Sequence, residues 1–324
     1  MQCVAAAAAA VVLLAATIAP ARGAEPFPTR PVRIVVPFGP GGTSDVVTRV
    51  VSPTLTELWG QQVVVDNRPG AGGNIGSELV ARAPADGYTL VMATVATHGI
   101  GPNLYTKLRF HPVKDFAPIS LLASTPSVVI VNPSVPVSSI KDLIALARSK
   151  PGQLLFGSAG NGGSLHLSGE LFNSMTAVKL VHVPYKGAAA ALIDLMSGQI
   201  QIMFDTLPSA MPHVKSGKAK AIAVTSASRV RALPELPTVS EGGVPGYEVT
   251  SWYGPLAPAA TPRSIVHKLQ ADFVRTANLP DVQQRLTAAG ADPIGSTAER
   301  FAAFIETELK KWAKVVRESG ARID

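Results

Sequence analysis

Cysteine is all but missing from this sequence. Its one thiol, Cys3, sits in an apolar N-terminal stretch. A chain that has shed that stretch holds no disulfide and no cysteine-based metal site. Charge is scarce as well, at 16% of residues, while 47% are hydrophobic. That balance belongs to a folded chain and not to a disordered one. The formal net charge of +7 would suit an acidic partner. However, Lys and Arg are scattered, and the few aromatics do not interleave with them. A nucleic-acid binder would concentrate its basic residues, so none is expected as a partner.

Catalytic signatures are missing too. There is no G-x-S-x-G elbow. His98, His111, His166, His182, His213 and His267 show no H-E-x-x-H or similar metal-binding spacing. Ser138-Ser139-Ile140-Lys141 fits S-x-x-K but reads better as a helix start, with Ser139 and Asp142 in capping positions. No catalytic residue, metal or cofactor is expected. Past the N-terminus, no run is long and apolar enough to span a membrane.

The N-terminus itself reads as a targeting segment. Val4 to Ala19 is apolar, and Ala19-Pro20-Ala21 fits an A-x-A cleavage site; cleavage after Gly23 or Ala24 fits as well. No Lys or Arg precedes the apolar stretch, and an uncleaved anchor is the alternative. The small-residue exit and the Pro-rich Glu25 to Pro31 favour removal, so residues 1–24 are read as a signal peptide of an exported protein.

What remains is long enough for two domains. Short β-rich runs alternate with helical patterns, which predicts an α/β protein. Val32 to Val36 is a strand that ends in Pro37-Phe38-Gly39-Pro40-Gly41-Gly42-Thr43-Ser44, and a helical pattern follows from Val46 to Leu58. The same grammar recurs twice. Gln62 to Val65 leads to Pro69-Gly70-Ala71-Gly72-Gly73, with Asn74 as a helix cap. Leu154 to Phe156 leads to Gly157-Ser158-Ala159-Gly160-Asn161-Gly162-Gly163-Ser164. Further strands are predicted at Tyr88 to Ala93, Val128 to Val131, Leu180 to Val183, Ile200 to Phe204 and Ala219 to Thr225. Helices are predicted at Ile140 to Ser149, Ala188 to Ser197 and Ile265 to Ala277. Ser296-Thr297-Ala298-Glu299 opens a last helix as a capping box. Pro and Gly at Leu233 to Gly246 and at Gly254 to Pro262 predict loops.

A glycine loop that feeds a helix N-terminus is a ready anion site. The first N–H groups of the helix lack intrahelical partners, and its dipole is positive there. Thr43, Ser44, Ser158, Asn161 and Ser164 add polar donors. The bland alternative is that the glycines only turn the chain and the hydroxyls cap helices. Three such loops in one chain weigh toward a ligand, because open α/β sheets bind at the carboxyl ends of their strands. None has P-loop or G-x-G-x-x-G spacing, so a phosphate and a carboxylate suit them equally. Asp45 and Asp205 could each receive an ammonium group, or cap and turn the chain. His166 is the one histidine near a glycine loop, where a packing role is the usual one. Thr94 and Thr97 follow a strand and could reach the same site.

These motifs resemble the Bug (TctC-like) periplasmic solute-binding proteins, which serve tripartite tricarboxylate transporters. The resemblance rests on Arg30 to Asp45, Val65 to Gly76, Asp86 to Leu90, Gly157 to Gly162, His182 to Gly187, Leu233 to Val239 and Ala257 to Pro262. It implies a two-lobed Venus-flytrap fold of the type II periplasmic binding class. The crossings are expected near Ser127 and Val249, so that 25–127 plus 250–324 form lobe one and 128–249 lobe two. It implies a monomeric, non-enzymatic binder of a small carboxylate: a dicarboxylate, tricarboxylate, acidic amino acid or aromatic acid. Two membrane subunits would be the partners, or a sensor kinase if the protein serves signalling; a periplasmic hydrolase is the remote rival. The ligand residues expected are Phe38, Gly39, Gly41, Gly42, Thr43, Ser44, Asp45, Gly73, Asn74, Thr94, Thr97, Ser158, Ala159, Gly160, Asn161, Gly162 and Asp205. No Arg or Lys occurs in the three loops, so recognition should rest on N–H groups, hydroxyls and helix dipoles, with no bidentate Arg clamp.

Overall fold

In the computed structural model, which describes residues 27–185, 187–230 and 233–319, the β-branched run Val32–Val36 is a strand, β1. The expected targeting segment, its cleavage sites and Cys3 lie outside the described residues. The chain continues through α1 (Thr43–Trp59), β2 (Val63–Asn67), α2 (Asn74–Ala81), β3 (Thr89–Thr94), α3 (Gly101–Leu104), β4 (Phe116–Pro118) and β5 (Ala123–Val131). Next come α4 (Ile140–Ser149), β6 (Leu155–Ser158), α5 (Ser164–Thr176), β7 (Val181–Pro184), α6 (Ala188–Ser197), β8 (Ile202–Thr206), α7 (Leu207–Lys215) and β9 (Lys220–Val224). The last elements are β10 (Thr250–Pro258), α8 (Arg263–Ala277), α9 (Pro280–Ala288), β11 (Asp292–Pro293) and α10 (Ala298–Ser319). No helix among the described residues is long and apolar enough to cross a membrane.

Strand order explains the two lobes. In the first, β2, β1 and β3 are parallel, and β10 closes antiparallel on β3. In the second, β7, β6 and β8 are parallel, and β5 runs antiparallel beside β8 and β9. β5 belongs to both. Its residues up to Pro126 pair with β10, and from Ser127 onward they pair with β8 and β9. A parallel sheet covered on both faces needs apolar side chains in both directions. β1 shows this: Val32, Ile34 and Val36 pack on α1 and α8, while Val35 faces a second core. In β8, Ile202 and Phe204 face α5, and Met203 faces α6 and α7.

α10 packs against α5 in one lobe and against α3 and the turn after β3 in the other. Its Phe301, Ile305, Trp312, Val315 and Val316 share a single core with residues of both lobes. The buried Glu308 carboxylate accepts from the indole N–H groups of Trp252 and Trp312, at 3.0 Å each, and pairs with Lys311.

Four local expectations are corrected. Gly254 to Pro258 is not loop but the second half of β10. Gly254 is there for close approach: a Cβ would lie 2.4 Å from Phe301 Cζ and 2.5 Å from the Ser120 carbonyl oxygen. Asn74 is the first residue of α2; the cap is Gly73, in a left-handed conformation no capping side chain requires. Thr297, not Ser296, caps α10, its hydroxyl accepting from Arg300 N–H at 3.3 Å. Ser296 instead ties the helix entry to Leu121, accepting its N–H at 3.0 Å. Finally, β5 begins at Ala123 and not at Val128, because Ser124 and Thr125 continue the strand into lobe one. At α4 the expectation holds: Ser139 Oγ accepts from Asp142 N–H, and Asp142 in turn accepts from Ser138.

Candidate functional site

α1 and α5 begin alike. Each is capped by a glycine with extended backbone, Gly42 (φ −74°, ψ 162°) and Gly163 (φ −76°, ψ 166°), and neither cap has a side chain to satisfy the first turn. Their leading N–H groups remain available, with the positive dipole end behind them. Gly39, Gly41 and Gly42 are exposed, as are Ala159 and Asn161, so both loops are open to a ligand.

Below this open surface the first loop is firmly held. Asp45, 3% exposed, accepts the Gly41 N–H at 2.9 Å, both of its oxygens lie 3.0 Å from Arg49 Nε, and Asn67 Nδ2 donates to it at 3.0 Å. The same Asn67 amide donates to the Phe38 carbonyl at 3.0 Å. Burial pushes the Asp45 carboxyl up, but the hydrogen bonds from Arg49, Gly41 and Asn67 outweigh it and hold it below its ordinary value. The carboxylate expected to meet a ligand is thus already engaged, and its task here is to brace the loop.

The second loop is the most contorted stretch among the described residues. Gly70, Ala71, Gly72 and Gly73 all have positive φ, at 133°, 47°, 64° and 96°. Gly73 is where three segments converge: a Cβ there would lie 2.5 Å from Thr97 Cγ2, 3.1 Å from Phe38 Cζ and 3.3 Å from Pro37 Cβ. Thr97 is occupied by the protein. Its hydroxyl accepts Thr94 N–H at 3.1 Å and lies 2.8 Å from His98 Nδ1, at the head of a π-helical turn, Ala96–Ile100. His98 is fully buried beside Phe110 and Phe116, and burial lowers its pKa to about 3.

The third loop is held by histidines. Ser158 Oγ lies 2.7 Å from His182 Nε2 and donates to the Gly160 carbonyl at 2.8 Å. Gly162 N–H donates to His166 Nδ1 at 3.0 Å. The two imidazoles stack with centroids 3.7 Å apart. Burial, then the neighbouring His166, lowers the His182 pKa to about 4. The His182 ring is therefore neutral near pH 7. Ser158 and Gly162 serve the loop's shape, and the exposed Ala159 and Asn161 form its outer face.

Asp205 stands at the head of α7. Its Oδ1 accepts Thr206 N–H at 2.8 Å, its carboxyl also interacts with Ser209, and burial raises its pKa to about 6. It follows Phe204 and so faces α6 and α7, away from the Ser158 side of the sheet. Several buried polar atoms at predicted positions have no protein partner: Ser44 Oγ, Asn74 Oδ1, Thr94 Oγ1 and Asp205 Oδ2.

Between the two helix N-termini lies a floor that sequence reasoning missed. Ser251 and Tyr253 alternate on one face of β10, with Thr125 opposite Ser251 and Thr94 opposite Tyr253. Ser251 Oγ is 3.3 Å from Ser164 Oγ, the first residue of α5. The period-two alternation of polar residues at 251 and 253 was the available signal. It was masked by the Gly and Pro that follow.

With this geometry in view, the chain's relatives are informative. Residues 47–321 match the profile of TctC, the tripartite tricarboxylate transporter family receptor. The chain is 40% identical over 295 residues to the UPF0065 protein in the tcbD-tcbE intergenic region of Pseudomonas sp. strain P51, covering 91% of this chain and 88% of that one. It is 34% identical over 314 residues to protein BugT of Bordetella pertussis, covering 97% and 96%. Among solved structures, it is similar to R. palustris Rpa4515 with adipate, at 39% identity and a TM-score of 0.80, covering 92% of this chain and 100% of that one.

Proposed function

The chain belongs to the tripartite tricarboxylate transporter receptor family, and from that premise we propose that it captures a small organic carboxylate in the cleft between its lobes. It is a solute-binding protein of the periplasmic receptor class and not an enzyme. One observation carries the ligand class. Two helices, α1 and α5, present N-termini capped by bare glycines, with extended backbone and no capping side chain. Such ends favour anions. The loops before them contain no cation, which suits a carboxylate gripped by N–H groups and hydroxyls. The adipate of the R. palustris relative is of the same chemical class.

In this reading, lobe one comprises the chain up to residue 127 and from 250 onward, and lobe two comprises 128–249. The change of β5 partners between Pro126 and Ser127, and the start of β10 at Thr250, support that division. α1 supplies donors from one lobe and α5 from the other, so a bound anion favours the closed arrangement by contacts that only closure completes. The signal peptide is removed on export, and the loaded monomer delivers its cargo to two membrane subunits.

A panel of succinate, adipate, citrate, malate, glutamate and benzoate tests the reading by thermal shift and calorimetry. A ligand that binds only the native state raises Tm by mass action. A rise with one group of these acids is expected. A cooperatively melting protein that responds to none of them would refute the carboxylate reading.

A further inference from the structure

The sequence holds a single Asn-Gly pair, Asn161-Gly162, and it falls in the third glycine loop, just ahead of α5. Asn161 is exposed, and among the described residues its side chain has no hydrogen-bond partner. Other asparagines are held. Both side-chain atoms of Asn67 are engaged, by Phe38, Asp45 and Arg49, and both of Asn173 are bound to the backbone of Leu180. Directly after Asn161, the N–H of Gly162 donates to His166 Nδ1 at 3.0 Å. His166 is buried, stacked on His182 with centroids 3.7 Å apart, and its Nε2 lies 3.6 Å from Glu170 Oε1.

The direction of that bond matters. An imidazole nitrogen that accepts a hydrogen bond carries a lone pair and no proton. The lone pair of His166 Nδ1 is therefore aimed at the amide proton of Gly162. The same amide nitrogen is the internal nucleophile of asparagine chemistry. Once relieved of its proton, it can attack the side-chain carbonyl carbon of the residue before it. Glycine has no Cβ to crowd that attack. A base within hydrogen-bond reach of the proton to be removed is the geometry that general-base catalysis needs.

We propose that Asn161 is a site of spontaneous deamidation, with His166 as the base, and that the modification weakens the capture of anions. His166 Nδ1 takes the Gly162 amide proton. The Gly162 nitrogen forms a bond to Asn161 Cγ, the Cγ–Nδ2 bond breaks, and ammonia leaves with the proton. Water then opens the cyclic imide at either carbonyl, leaving aspartate or isoaspartate at position 161. The net change is one water consumed and one ammonia released, with no oxidant or cofactor. Its effect on binding rests on the carboxylate reading above. The loop from Gly157 to Ser164 contains no Lys or Arg, so no cation of the loop offsets the new negative charge. That charge faces the same open surface as the N-terminus of α5, where it repels a ligand carboxylate.

The test ages the folded protein at mildly alkaline pH and follows each asparagine by peptide mass spectrometry. The peptide carrying Asn161 is expected to convert first, to a mixture of aspartate and isoaspartate. His166→Gln separates the base from a mere restraint: its side-chain oxygen can still accept from Gly162, but it takes up no proton at neutral pH. Conversion should slow in this variant. An equal or faster rate, or an Asn161 that converts no sooner than Asn67 or Asn173, overturns the proposal. If His166→Gln fails to fold, His166→Phe, which keeps a ring against His182, is read in the same way. Calorimetry with the tightest binder of the acid panel reads the consequence. Asn161→Asp should weaken Kd by about tenfold or more, the effect of one like charge at close range. Aged wild type should lose affinity in step with conversion, while Asn161→Gln keeps its own starting Kd over the same interval. Fully converted protein that binds as tightly as fresh protein overturns the effect on capture and leaves the carboxylate reading intact. A fresh protein that binds no acid of the panel refutes that reading, and the mass measurement still decides the modification.

Discussion

Substituting Gly42 with Ser would set two consequences of the same bond against each other. Gly42 has φ −74° and ψ 162°, a conformation serine adopts without strain, and the nearest atom to an added Cβ is the Gly39 carbonyl oxygen at 3.8 Å. A serine at this position caps the helix, its Oγ accepting from the N–H of Ser44 or Asp45. The folded state gains from this, or at worst loses nothing: serine and glycine caps differ by only a few tenths of a kcal/mol. For a chain of this length Tm then moves by less than about 1 °C. The captured N–H is one that a carboxylate would otherwise use, and a charge-assisted bond of that kind contributes about 1.5–3 kcal/mol. Affinity should fall about 10- to 100-fold while stability holds or rises. Gly163→Ser should do the same from the other lobe. Calorimetry reads the affinity, and amide exchange at Ser44 and Asp45 reports whether the new cap has formed. A cap that forms without weakening binding by more than about twofold would refute the idea that these helix ends hold the ligand.

Asp45→Ala deprives the Gly41 N–H of its acceptor and leaves Arg49 without its ion-pair partner; a stability loss of about 2–3 kcal/mol is expected, together with weaker binding, and a urea midpoint equal to wild type would contradict it. A pH effect follows from His98, whose pKa burial lowers to about 3 in the folded protein. The unfolded chain takes up this proton below about pH 6.5 and the folded one does not until near 3, so stability is lost as pH falls through that window, roughly 2 kcal/mol of it by pH 5. Asp205, raised to about 6 by burial, titrates with the opposite sign, so His98→Asn against wild type isolates the histidine. Equal slopes of urea stability between pH 7 and 5 in the two proteins would contradict this account.

The strand–glycine loop–helix units were legible because each rests on local chemistry. β-branched residues, positive-φ glycines and a 3.6-residue apolar period all act within a few positions of one another. The anion-ready helix ends at Thr43 and Ser164 follow from that grammar. What escaped depended on distant partners. Gly254 and Pro255 look like a turn until Phe301 and Ser120 are known to press on them. Ser124 and Thr125 become strand only because β10, more than a hundred residues later, pairs with them. Asp45 and Thr97 were singled out for their chemistry, yet Asn67, Arg49 and His98 claim them for the scaffold. Composition cannot tell a polar group aimed at a ligand from one aimed at its neighbour. Histidines 166 and 182 are sixteen residues apart in the chain and meet where α5 packs over the paired strands β6 and β7.

The place of β10 in the sheet also bears on how the chain comes together in time. β3 has β1 on one side, and on the other it waits for β10, whose residues are made some 160 positions later. The strands of the second lobe, from the far half of β5 through β9, are all in hand by Val224. The middle of the chain can therefore reach its final sheet while the first lobe still carries an open, apolar edge at Thr89–Thr94. Such an edge invites pairing with another chain. During synthesis or after release from an export channel, the risk of aggregation is concentrated in the interval before Thr250–Pro258 arrives to cover it.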